Sequence, residues 1–388
     1  DRLIALHEAK GNAARLVDLY DRRIQHRGPE ETDLAYELLL AAAQRFENDL
    51  GDRREAIFRL QSALDLRPNE KTVLGSLARL LEAEELWSDL LDNLKLQASL
   101  AETAAERTTL RKRIATLYAT HLDDVTEAIE TYRLVLDETP RDAEAIDALL
   151  AFGASHEDLR ETVADALEPV LRSTEQWELL VRALRLRLEA QEAPEDRART
   201  RNAIASVLEQ SLARPAEALS LLLEGLAETP SDPLLHEDLS RLAAASQGWA
   251  QYAEALDARV AEILDAQVQT SLYARLGAIA AERLDDPARA IAAYAKALEV
   301  GGDDADILAR LDELHAKQNQ HAERAKVLER RIDIESDANL RADLIHRLGR
   351  LYVHELGDFA RGLEELRRAL DLVPDHAGAR ETLEALAE

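Results

Sequence analysis

The 388-residue chain has no cysteine and no methionine. The absence of cysteine excludes disulfides, zinc knuckles, iron–sulfur centres and thiol nucleophiles together. The chain opens DRLIALHEAK, with neither a signal peptide nor an initiator methionine, and so reads as a fragment or a processed form. No apolar run approaches the roughly 18 residues needed to cross a bilayer, so no membrane insertion is expected. Basic residues are in short supply. Lys and Arg number 48 against 76 Asp and Glu, a formal charge of −28. Nucleic acid is disfavoured as a partner, because binding phosphates needs a basic stripe. The fourteen glycines form neither GxGxxG nor GxxxxGK[ST], and GxSxG is missing too, so no phosphate cradle or nucleophile elbow is present. Compartment is left open: the cytoplasm is favoured, with the periplasm the alternative if a leader lies outside this sequence.

What is present is a repeat. Apolar residues make up 46% of the chain, ample for a packed interior despite 32% charged residues. The segment Leu50-Gly51-Asp52-Arg53-Arg54-Glu55-Ala56-Ile57 returns at Leu122, Leu212, Leu284 and Leu356, in steps of 72, 90, 72 and 72 residues. The same register carries Leu64, Leu136, Leu226, Leu298 and Leu370. It also carries Pro68, Pro140, Pro230, Gly302 and Pro374, and the small residues Ala56, Ala128, Ala218, Ala290 and Gly362. Trp87 and Trp249 share one column, and Trp177 joins it once the 18 extra residues of the long step are allowed for. Such a period fixes the architecture before any local reading.

Within a unit the apolar spacing is helical. Leu50, Ala56, Ile57, Leu60, Ala63 and Leu64 fall on one face. Gly51-Asp52 reads as a turn followed by an N-cap, and Pro68 as a stop. The first full copy is predicted to hold four helices, near 34–49, 52–66, 69–83 and 86–102. No segment alternates with the period of a strand. The small column lets helices approach closely, and the large Leu, Tyr and Trp columns fill the space between layers. The tryptophans read as packing residues, with ligand contact the lesser alternative.

These residues resemble the tetratricopeptide repeat. Leu348-Gly349, Tyr352, Gly357-Asp358, Gly362, Leu366, Ala369-Leu370 and Pro374 stand in that family's places, and Leu276-Gly277, Asp285-Asp286, Ala290, Tyr294, Ala297-Leu298 and Gly302 repeat them. The first half of each unit matches, with one extra residue before the turn; the second half is a degenerate hairpin marked by the Trp column. The arrangement is similar to that of large repeat proteins of some bacteria. The resemblance implies an all-α fold, a right-handed α-α superhelix of about twenty helices. The expected organisation is a partial unit at 1–33, an N-terminal arm at 34–140, an irregular insertion and hinge at 141–177, and a C-terminal arm at 178–388. The insertion carries one extra helix, either Ala143–Phe152 or the run through Val163, Leu167, Val170 and Leu171, with Gly153 and Ser155 as a flexible turn. Leu6, Leu16, Val17 and Tyr20 parallel Leu80, Leu90, Leu91 and Leu94, so the array is expected to be cut from a longer one.

The resemblance also implies where a partner would lie. Peptides in that family rest on the face formed by each hairpin's first helix. By register this face holds Gln44, Lys112, Thr116, Asn202, Ser206, Ala278, His346 and Arg350. The Lys and Asn that some members use to clamp a terminal carboxylate are not reproduced: their places hold Leu40 and Gln44, Lys112 and Thr116, Asn202 and Ser206. The expected function is a non-catalytic scaffold for a protein or peptide partner, with a structural spacer in a larger assembly as the alternative. A repeat-built transferase is a distant third, because no acid–base or metal cluster stands out. His346 and His354 could share a face but lack further ligands, so neither a metal nor a cofactor is expected. Acidic pairs such as Asp123-Asp124 and Asp285-Asp286 read as caps before helices. The acidic excess either solvates an extended surface or prepares a groove for a basic partner; interspersed charges favour the first.

Overall fold

The computed structural model describes residues 7, 12–28 and 30–387; Leu6 lies outside them. The described residues are all-α, with twenty-one α-helices and no strand. Helix α1 spans Ala13–Gln25. Copy one holds α2 (Thr32–Arg45), α3 (Arg53–Leu66), α4 (Lys71–Ala83) and α5 (Trp87–Ser99). Copy two holds α6 (Ala104–Thr120), α7 (Val125–Glu138), α8 (Ala143–Ser155), α9 (Arg160–Ser173) and α10 (Trp177–Ala190). Copy three holds α11 (Pro194–Ser206), α12 (Pro215–Gly225), α13 (Pro233–Ser246) and α14 (Trp249–Val260). Copy four holds α15 (Ala266–Glu282), α16 (Pro287–Gly301), α17 (Ala305–Lys317) and α18 (His321–Ile334), and copy five α19 (Ala338–His354), α20 (Phe359–Leu372) and α21 (Ala377–Ala387). The chain forms two compact units, Asp1–Gln191 and Glu192–Glu388, and the division falls between copies two and three.

Local chemistry sets the register of each copy. Asp52, Asp124, Asp286 and Asp358 each accept a backbone N–H three residues on and so cap a second helix. The residue before each cap is left-handed: Gly51, Asp123, Ala213, Asp285 and Gly357 have φ between 50° and 69°. That conformation lets the chain close the first helix with a long hydrogen bond, as from Asp52 N to Phe46 O and from Asp124 N to Tyr118 O. The wide turns at Phe46–Leu50 and Val207–Ser211 take up the extra residue that separates these copies from the family pattern. A second left-handed column precedes the last helix of copies one to four, at Glu85, Glu175, Gln247 and Asn319.

Packing follows the columns. Ala56, Ile57, Leu60 and Ala63 are buried along α3, and Leu16, Val17 and Tyr20 along α1. The small column has a steric reason at Gly362: an added Cβ would stand 2.4 Å from Val353 and 3.0 Å from the Gly349 carbonyl. The tryptophans are half-buried, and Trp87 packs against the core of its unit as expected. Trp87 stacks on His121 at 3.8 Å, and Arg283 lies over Trp249 at 5.0 Å. His321 holds the same column in copy four and faces Glu355 at 3.7 Å.

The long copy has five helices, because α8 and α9 are both present. Gly153 is not a flexible turn. It is buried in the last turn of α8, where an added Cβ would stand 2.7 Å from Leu186 and 3.3 Å from Val163, so α9 and α10 close on it. Ser155 is likewise helical, its hydroxyl donating to Ala151 O at 2.8 Å.

Candidate functional site

In copies one and four the first and third helices flank a groove whose floor is the second helix. The copy-one groove, about 420 Å³, is bounded by Leu40, Ala43 and Gln44, Leu60, and Thr72, Val73, Ser76 and Arg79. The copy-four groove is larger, about 640 Å³. Its first wall is Ala266, Gln267, Thr270, Ser271, Ala274 and Ala278 of α15; its second is Asp304, Asp306, Ile307 and Arg310; Tyr294, Val300 and Gly301 complete it. The repeat step superimposes these linings. Leu40 and Gln44 correspond to Ala274 and Ala278, Leu60 to Tyr294, and Thr72 to Asp306.

Helical periodicity accounts for the wall. Residues 270, 274 and 278 recur once per turn and share a face, and two of the three are alanine. Tyr294 crosses behind them because Gly277 leaves room; an added Cβ there would stand 2.7 Å from the ring. Tyr294 is 1% exposed, and burial raises its phenol above the ordinary value against the opposing pull of Arg310. Its hydroxyl makes no close hydrogen bond, and the Arg310 guanidinium is the polar group that acts on it. Asp304 caps α17 with one carboxylate oxygen, accepting from Asp306 N at 3.0 Å and Ile307 N at 2.9 Å. Arg310 donates to Glu282 at 2.8 Å.

The same addresses are filled in copies two and five. Lys112 stands where copy four has Ala274, and its Nζ reaches across to Asp142 Oδ2 at 3.1 Å and Glu144 Oε2 at 2.6 Å. Those carboxylates, the Glu144 hydrogen bond foremost, raise the ammonium pKa. Thr116 Oγ1 lies 3.4 Å from the Tyr132 hydroxyl. In copy five His346 spans the groove. The Thr382 hydroxyl donates to Gly378 O at 2.7 Å, so His346 Nε2 donates to Thr382 Oγ1 at 2.9 Å. The His346 ring also packs over Gly378, whose Cβ, if added, would meet it at 2.8 Å. Burial, with His376 and Arg350 nearby, lowers the His346 pKa.

The expected inner-face residues therefore have different standings. All lie on first helices, but no hydrogen bond or ion pair joins those of different copies among the described residues. Gln44 and Ala278 line open grooves. Lys112 and His346 close theirs. Thr116 and Ser206 are exposed, Asn202 is half-buried, and Arg350 is exposed. Sequence reasoning missed Ala274, Tyr294, Asp304 and Asp306 as groove residues. The available signal was the Lys112-to-Ala274 change within one column. Among the described residues no group of three His, Asp or Glu could hold a metal ion, and no helix is long and apolar enough to cross a membrane.

A tetratricopeptide-repeat family model matches residues 342–376, within copy five. No curated protein sequence matches the chain. Several solved helical-repeat structures are similar to it. YrrB, a TPR protein with an unusual peptide-binding site, is 18% identical over 48% of this chain and 92% of its own, with a TM-score of 0.30. A tetratricopeptide repeat protein from Parabacteroides merdae is 20% identical over 72% of this chain and 98% of its own, with a TM-score of 0.24. The C-terminal part of a TPR repeat-containing protein from Cytophaga hutchinsonii is 11% identical over 64% of this chain and 97% of its own, with a TM-score of 0.32.

Proposed function

We propose that this helical-repeat protein is a non-catalytic scaffold that holds an extended protein segment in the groove between α15 and α17. The observation that carries this reading is the shape of the copy-four groove. It alternates small walls at Ala274 and Ala278 with hydrogen-bonding groups at Gln267, Thr270, Ser271 and Tyr294, as an extended backbone requires, and lacks the side chains that block copies two and five. An extended chain presents unpaired N–H and C=O groups along its length, and such groups need partners wherever they are buried. YrrB's peptide-binding site belongs to the same broad class of repeat protein. The groove's carboxylates and the net charge of −28 suit a basic segment better than an acidic one. The bend at 141–177 remains part of this proposal, as a joint that sets where partners approach.

Selection of short random peptides on the full chain tests the function. Selected peptides are expected to protect the α15 and α17 amides from hydrogen exchange and to lose binding when Ala278→Trp fills the groove. Peptides that bind equally well to the filled variant would overturn the assignment.

A further inference from the structure

Copy two contains a model of what the copy-four groove accepts. There the groove is occupied from within: the Lys112 ammonium lies between Asp142 and Glu144, and Thr116 approaches the Tyr132 hydroxyl. Copy four keeps the receiving groups. Asp304 stands in the place of Asp142, Asp306 in that of Glu144 and Tyr294 in that of Tyr132, while Lys112 and Thr116 are replaced by Ala274 and Ala278. Both truncations empty the same space. They leave Asp306 with no ion pair among the described residues, and Tyr294, at 1% exposure, with the Arg310 guanidinium in place of a threonine hydroxyl as its polar neighbour. Arg310, the cation among the described lining residues, is engaged by Glu282.

We propose that the groove binds the ammonium group of a lysine side chain carried by a partner protein, seated where Lys112 sits in copy two. This rests on reading the groove as a site for an extended segment and specifies that segment's anchoring residue. The ammonium has three donors and no acceptor. It finds acceptors in Asp306 and in the Asp304 oxygen not used for capping. The Tyr294 hydroxyl meets the polar backbone of the incoming chain. Lysine fits better than arginine because the receiving geometry in copy two is built around a compact point charge, not a planar fork. A protein segment fits better than a small amine because the cavity continues past Ala278 and Gly301, beyond the volume one alkylammonium fills.

The test uses the full chain and the selected peptides, each synthesised with its lysine intact, acetylated or replaced by norleucine. Loss of the charge is expected to weaken binding about tenfold or more, and Asp306→Asn in the protein to do the same. Ala274→Lys supplies the ammonium from within; it is expected to abolish binding and raise Tm relative to Ala245→Lys, an exposed substitution of equal charge. Three results would overturn the proposal. Peptides that bind without lysine yet are lost on Ala278→Trp would preserve the groove and remove its lysine preference. Equal Tm for Ala274→Lys and Ala245→Lys would show that Asp304 and Asp306 do not receive an ammonium. Butylammonium binding as tightly as the peptides would assign the site to a small amine.

Discussion

Copies two and four share a backbone plan, two carboxylates and a tyrosine, yet one groove is shut and the other open. The side chains that close one groove lie on one helical face, Lys112 and Thr116 against Ala274 and Ala278, while across the groove Ala148 stands against Arg310. This contrast shows that in a repeat array the scaffold and the site are separable: the columns that pack the layers tolerate little change, while a solvent-facing column can switch between structure and recognition. Copy five makes the same point with different chemistry, since His346 and Thr382 close its groove through a neutral hydrogen bond.

The sharpest way to break the comparison is to remove the shared floor. Tyr132→Ala and Tyr294→Ala should each destabilise by about 3–5 kcal/mol, the usual cost of deleting a buried aromatic ring, as measured by chemical denaturation. Because each copy packs mainly on its neighbours, hydrogen exchange should rise near the altered copy and not along the whole chain. Uniform exchange would show that the copies are not separable.

A second test uses acid. His236 in copy three is buried, bonded to Tyr252 at 2.6 Å and to the Pro230 carbonyl at 2.8 Å. Burial lowers its pKa. A base with a lowered folded pKa binds its proton more readily when unfolded. Stability therefore falls as pH drops below about 6.5, by up to about 1.4 kcal/mol per pH unit for each such group, until the folded pKa is passed. His346 adds in the same direction. Glu228, held at about 2 by Arg201 and Arg197 against its burial, gives stability that persists above its ordinary pKa and is lost only as pH falls through the range below 4.5. Acid unfolding of Glu192–Glu388 should thus show a histidine limb near neutrality and a carboxylate limb well below it. His236→Leu together with Tyr252→Leu, which restores the leucines of the matching positions 74 and 90, should shrink the first limb.

Opening the closed groove is expected to have a smaller effect. Lys112→Ala should cost about 1 kcal/mol, as for a partly buried ion pair, and combined with Thr116→Ala should give copy two a groove that accepts lysine-bearing peptides. If it remains closed to them, the two-residue explanation fails. Tyr294→Phe sharpens the same contrast: removing a buried hydroxyl whose polar neighbour is Arg310 and which makes no close hydrogen bond should change stability by no more than about 1 kcal/mol, whereas Tyr132→Phe should not stabilise. The smallest effect is expected at the turn column. Ala213 is left-handed at φ 54° where copies one and five have glycine, so Ala213→Gly should raise stability by about 0.5–1 kcal/mol in thermal unfolding.

Much of this molecule follows from the amino-acid order itself. The period, the four-helix copies, the extra helix near 141–177 and the aspartate caps are local or periodic features, and neighbouring residues suffice to produce them. The tertiary structure decided the rest. The left-handed Glu85, Glu175, Gln247 and Asn319 carry no glycine signal; each lets the next N–H close the helix end, as from Leu86 N to Leu81 O and from Gln320 N to His315 O. Trp87 and Trp249 are half-buried, and a residue distant in sequence, His121 or Arg283, covers one face of each. The groove could not be read from α15 alone, since an alanine becomes a cavity only when the facing helix brings Asp304 and Asp306 opposite it. Thirty residues separate Ala274 from Asp304. Sequence periodicity gives each residue its face on a helix, but whether two faces meet through a side chain or across open space depends on side-chain reach in three dimensions.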